Sequence, residues 1–270
     1  MTPKPNLTQR GLVLKVTPPV RSEGEQKLLD RLALLVGGVA FGLPVILIVG
    51  ATLGGSCFRD SISHFYHAQF LGGFFVGLLF FIGGFLIAYS GSHWLETWGS
   101  TVAGLCAMGV ALFPTSDSGC ELKEIFLSRV FAEVTNVTPP PPYSVAEAVG
   151  QGQGFFELFG AASGYHMFAA GVVFVYLGLF SIVVLRRVIP DVHGEGETMK
   201  ETKRRRNSLY FWCGVVILLC VAVLALKGKA LGDLKTWNAY NLTFWVELVA
   251  LWAFALAWVT KGRLFEKLND

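Results

Sequence analysis

Six apolar runs, separated by polar segments, set the pattern of this chain: Leu32–Leu53, Ala68–Tyr89, Trp98–Phe113, Tyr165–Val184, Ser208–Leu226 and Ala239–Thr260. A helix of about 20 residues crosses the hydrocarbon of a bilayer. Lipid offers no partner to backbone N–H and C=O groups, so each run predicts a helix. The third run is the shortest. The fold class expected is all-α: a polytopic membrane protein with a six-transmembrane-helix bundle over residues 32–260, flanked by tails at 1–31 and 261–270.

Composition agrees with this pattern. The 270 residues are 53% hydrophobic and 15% charged, with a mean hydropathy of +0.54. Soluble domains carry about 25% charged residues, so lipid must solvate much of this surface. The polar start of the chain holds six Lys and Arg ahead of an apolar run too long for a secretory signal, which predicts a retained signal anchor.

Charge sets the expected orientation. With both termini cytoplasmic, sixteen of the twenty-two Lys and Arg residues fall on the cytoplasmic side, as the positive-inside rule requires. Seven of them lie in the inner loop 185–207, whose stretch Ile189–Asn207 is Gly- and charge-rich and expected to be mobile. Its Lys203–Arg206 run reads as a topology signal. The membrane expected is a plasma membrane, or a bacterial inner membrane. Basic residues are split among separate loops with no aromatic interleaving, so no nucleic-acid partner is expected.

The outer loop 115–164 is long and acidic. It contains Pro139–Pro142, a polyproline II signal, and a mildly amphipathic stretch, Val145–Phe159, suited to a membrane surface. Gly73 and Gly77 on the second run, and Gly160 and Gly164 before the fourth, are spaced for close helix approach. Packing within the chain is expected of them, with a homo-oligomer or a larger membrane complex as the other use.

Of five cysteines, Cys106, Cys213 and Cys220 fall in apolar runs and read as core. Cys57 and Cys120 fall in two outer loops, either as a disulfide between them or as two free thiols.

Candidate chemistry gathers where outer helix ends meet. Asp60, His64 and His67 share one side of a helix that starts near Ser61, and Ser63 lies one turn from His67. Asp117 follows the third run, and His166 opens the fourth. Glu247 is the one acid inside an apolar run, and an intramembrane carboxylate points to function. Three chemistries are open. His64, His67 and His166 are zinc-ligand candidates, with a carboxylate as further ligand or base. A His can activate a Ser hydroxyl, oriented by Asp117 or Asp60. Alternatively, the group can relay protons or fasten helix ends together. His93 and His193 lie on the other side, and no His pair sits mid-bilayer to hold haem.

Two resemblances add to this. The segments Ser61-Ile62-Ser63-x-x-Tyr66, Ala107–Pro114 and Trp245–Gly262 resemble a group of uncharacterised bacterial six-span membrane proteins, which implies the helix count and no activity. Ser63-x-x-x-His67 with Asp117 and His166 resembles the CREST superfamily of membrane hydrolases, which includes alkaline ceramidases and adiponectin-receptor-like proteins. That resemblance implies a zinc-dependent hydrolase of a lipid amide. Those proteins have seven spans and a late His-x-x-x-His pair. Here Ala170 follows His166 by four residues, so His64 or Glu247 would supply the missing ligand.

The function expected is a membrane-embedded, metal-dependent hydrolase acting on a lipid or lipid-linked substrate at the outer leaflet. Ser63, Asp117 and Glu247 are its catalytic candidates; His67, His166 and His64 are its metal candidates. The alternative is a small transporter or channel, or a lipid-binding or structural subunit of a membrane complex.

Overall fold

The computed structural model describes residues 22–54, 57–89, 94–113, 115, 162–187, 194–195, 198–199, 201–227, 233–265 and 268. Among the described residues, six helices are long and apolar enough to cross a membrane. They are α1 (Glu23–Leu53), α2 (Gln69–Ala88), α3 (Trp94–Leu112), α4 (Ala162–Val183), α5 (Glu201–Leu226) and α7 (Leu242–Lys261). A short α6 (Leu234–Ala239) leads into α7, and a two-residue antiparallel ladder joins Gly194–Glu195 to Thr198–Met199. The architecture is the all-α, six-helix membrane class.

Helix ends follow local chemistry. Ser22 and Glu25 form a reciprocal capping box, in which each side chain accepts from the other's backbone N–H. This starts α1 well before its apolar run. At 1.5 Å per residue α1 is about 46 Å long, so its first turns project beyond the hydrocarbon. Similarly, α5 begins at Glu201, inside the segment read from sequence as a mobile loop. Lys203, Arg206 and Asn207 are helical and buried.

The helices form a ring in which each spanning helix packs on the next in the chain, and α7 closes the ring on α1. α4 also touches α7 across the ring, which leaves α5 outside that contact. One end of the bundle carries the end of α1, the start of α2, the end of α3 and the starts of α4 and α7. This is the site end; residues 22 and 265 lie at the far end.

Two glycine pairs fix the close crossings. A Cβ on Gly104 would stand 2.6 Å from the Gly83 carbonyl oxygen, and one on Gly214 would stand 2.6 Å from that of Gly178. These are the α2–α3 and α4–α5 seams. Gly73, Gly77 and Gly164 have open space where a Cβ would lie. The expectation that they pack within the chain is therefore corrected; Gly160 lies outside the described residues. Gly104→Ala should lower stability by about 1–3 kcal/mol, because backbone and not a flexible tip must move. Gly73→Ala should be neutral or better. Melting in detergent checks the contrast.

Candidate functional site

Between α1 and α2 the chain folds back over the bundle. Phe58, Phe65 and Phe244 pack as a cluster with ring centroids 4.8–6.1 Å apart, and the Phe244 N–H donates to the Asp60 carbonyl at 2.8 Å. These contacts press residues 58–67 onto the start of α7. Asn241 caps that start in the left-handed region, at φ 52°. Cys57, at the head of this segment, is disulfide-bonded, whereas Cys106, Cys213 and Cys220 are free thiols. Cys120, the fifth cysteine, lies outside the described residues.

Ser63–His67 is a separate 3₁₀ helix, and extended Ala68 breaks it from α2. The tighter helix has three residues per turn and changes the expected α-helical face. His64 pairs through Nδ1 with Asp60, while His67 turns away to the end of α3. His67 Nε2 lies 2.6 Å from the Thr115 carbonyl, His166 Nδ1 lies 2.9 Å from the Phe113 carbonyl, and the Tyr66 hydroxyl donates to Leu112 O at 3.3 Å. The last carbonyls of a helix have no partner within it. Tyr66 and His166 therefore cap the end of α3, and His67 holds the chain just beyond it.

Those contacts fix tautomers, since a carbonyl only accepts. His166 carries its proton on Nδ1, leaving a lone pair on Nε2. That nitrogen is buried in a residue 0% exposed and makes no well-aligned hydrogen bond, although the Val110 backbone also lies close to the ring. Metal-ligating histidines hold their second nitrogen in this way. Even so, among the described residues no three His, Cys, Asp or Glu side chains are grouped to hold a metal ion. His64 is committed to Asp60, and Asp117 lies outside the described residues.

Glu247 meets a partner that the sequence reading did not nominate. Its two carboxylate oxygens lie 3.0 and 2.9 Å from the Ser61 hydroxyl, and Oε2 accepts from Ile62 N–H at 2.7 Å. The Ser61 oxygen in turn accepts from Ser63 N–H at 3.2 Å. Ser61, not Ser63, holds the acid. Nothing local in the sequence joins positions 61 and 247; only the resemblance segment drew attention to both serines. Nearby, Thr243 Oγ1 accepts from Trp237 Nε1 at 2.8 Å and from Lys227 Nζ at 3.2 Å.

Below this acid lies a cavity of about 70 Å³. Ile62, Ser63 and Glu247 line its head; Leu43, Phe75, Ala107 and Val173 line its walls; Ile82, Leu177 and Phe254 line its floor. Trp258 closes the bundle beyond the floor, stacked on Phe180 at 5.8 Å with Phe85 edge-on at 5.1 Å. From Glu247 to Phe254 is seven residues of α7, about 10 Å at 1.5 Å per residue. Glu247 is the cavity's ionisable lining group, and Ser63 its other polar one.

The far end holds a second buried polar group. Glu96, in the first turn of α3, is buried and paired with Arg187. Glu247 is therefore not the one acid inside a span. The Arg186 guanidinium lies 4.9 Å from the Phe211 ring centre, and burial lowers its pKa from the usual value. Lys203 donates to the Leu185 carbonyl at 3.4 Å, near the end of α4. These contacts fasten helix ends. Comparison of the chain with family models, curated proteins and solved structures found no match to any of them.

Proposed function

We propose that this chain is a membrane-embedded lipid-handling protein whose central cavity takes one amphiphile, with the apolar chain between the helices and the polar head at Ser63 and Glu247. One observation carries this reading. An apolar slot about 10 Å deep lies inside the helix ring and has a single ionisable group, Glu247, at its head. Ligand pockets are mostly apolar, with a few placed polar groups. Water alone has little to bond to along these walls, whereas an alkyl chain gains about 0.8 kcal/mol per buried methylene.

Cation asymmetry supports an orientation with both termini cytoplasmic and the site end toward the outer leaflet. A plasma or bacterial inner membrane fits that orientation. The ligand then enters from the leaflet in which the site lies.

A second reading, hydrolysis of that lipid, is favoured by the lone pair on His166 Nε2. A buried imidazole nitrogen with a lone pair can take a proton or bind a metal. In the zinc form of this reading His67 and His166 are ligands, and Asp117 is a ligand or base. The acid–base form uses a serine, Ser61 or Ser63, with the same imidazoles. Zinc would supply Lewis-acid activation of the scissile carbonyl.

The test is occupancy of the cavity. A diazirine-tagged long-chain alcohol, photolysed with the protein in nanodiscs, should label peptides of α4 and α7 around Val173, Leu177 and Phe254. Ala170→Phe fills the slot. Excluding about three methylenes at about 0.8 kcal/mol each should cost about 50-fold in affinity. Labelling confined to lipid-facing residues, or unmoved by Ala170→Phe, contradicts the reading.

A further inference from the structure

We infer that the amphiphile taken by the cavity carries a protonated amine as its head. The inference rests on the proposed cavity function and narrows it to a ligand class. It starts from the hydrogen-bond inventory of Glu247. The carboxylate accepts from Ile62 N–H and from the one hydroxyl proton of Ser61, which its two oxygens share. A carboxylate has about four acceptor sites. The remaining capacity faces the cavity.

Charge is the second half of the argument. Among the described residues, none of the ion pairs includes Glu247. The nearby cationic groups reach Glu247 only at longer range: Lys227 Nζ donates to Thr243 Oγ1 at 3.2 Å, His64 pairs with Asp60, and Arg59 is buried in the same segment. A carboxylate facing apolar walls with no cation in contact is costly. A phosphate or carboxylate head would add like charge to it. A hydroxyl head would fill one acceptor site and leave the charge unbalanced. An ammonium fills both needs, with N–H donors and a positive charge. The depth of the slot, about 10 Å, is less than one leaflet of a hydrocarbon core about 30 Å thick. A single medium-length alkyl chain fits it better than a two-chain lipid.

Ligand comparison on the full chain tests this. The protein in zwitterionic nanodiscs is titrated with tritiated octylamine, octanol and octanoate, which share one chain and differ in head. Empty nanodiscs correct for partitioning, and Ala170→Phe defines the binding that belongs to the cavity. Octylamine should bind at least about tenfold more tightly than octanol, and octanoate most weakly. Glu247→Gln should weaken octylamine by about 10- to 100-fold, the range for a hydrogen bond to a charged group, and octanol far less. If Glu247→Gln does not fold, Glu247→Asp keeps the charge and should keep the order of the three probes. Equal binding of amine and alcohol overturns the cationic head and leaves the cavity reading standing. Absence of any probe blocked by Ala170→Phe overturns both.

Discussion

Glu96→Ala should be the most damaging single change in this chain, lowering stability by about 3–5 kcal/mol. Glu96 and Arg187 have side chains only 5% and 17% exposed, and they form a direct ion pair at the far end of the bundle. Removing the acid leaves a buried guanidinium facing the start of α3. Breaking one half of a buried pair costs more than the pair contributes, because the surviving charge loses its compensation. Arg187→Ala should cost a similar amount by stranding the carboxylate. Exchanging both for apolar residues of similar volume, Glu96→Leu with Arg187→Met, should recover most of the loss. Unfolding in detergent of the two single variants and the double variant measures the coupling. Losses that simply add across the cycle contradict direct pairing.

The second large effect is expected at the site end. His67→Phe and His166→Phe keep ring volume and remove the N–H donors that reach Thr115 O and Phe113 O. Each strands a carbonyl at or just past the end of α3, costing about 1–3 kcal/mol, and the double variant should lose more than either. The readout that separates roles is ligand binding. If the two rings only hold the end of α3, cavity labelling persists in whatever fraction stays folded. If they act on the ligand, turnover of a lipid substrate vanishes in His166→Phe while binding survives. His166→Gln, which can still donate to Phe113 O, should then restore stability but not turnover.

Much of the fold is legible in hydropathy because lipid permits so little else. A run such as Leu32–Leu53 has to be helical, and six such runs reappear as α1–α5 and α7. The starts of helices were harder to read. Glu96 and the Lys203–Arg206 run look like loop residues to any hydropathy window, yet both lie in helices. Their charges are accommodated by residues distant in the chain, Arg187 for Glu96 and Leu185 O for Lys203. Glycine spacing misled for the same reason. Gly73 and Gly77 have the familiar four-residue interval, but the tight crossings use single glycines, Gly83 against Gly104 and Gly178 against Gly214. Only the partner helix distinguishes these cases.

The candidate site was legible as a set of residues and not as an arrangement. The clustering of His64, His67, His166 and Glu247 near one helix end follows from topology alone. Their bonding does not. An α-helical period through Ser61–His67 predicts Asp60, His64 and His67 on one face. The 3₁₀ helix, cut short by extended Ala68, instead separates the Asp60–His64 pair from His67. The Ser-x-x-x-His spacing points to Ser63, while the bond that matters joins Ser61 to an acid 186 positions away.

The central claim is that Glu247 heads a lipid-filled slot inside the ring. A high-resolution cryo-EM map of the protein in native-lipid nanodiscs tests it most directly. The account predicts elongated density enclosed by α1, α2, α3, α4 and α7, with a polar end about 2.7–3.2 Å from a Glu247 carboxylate oxygen. Helices closed over an empty core, or lipid density only on the outer faces of the bundle, would contradict it.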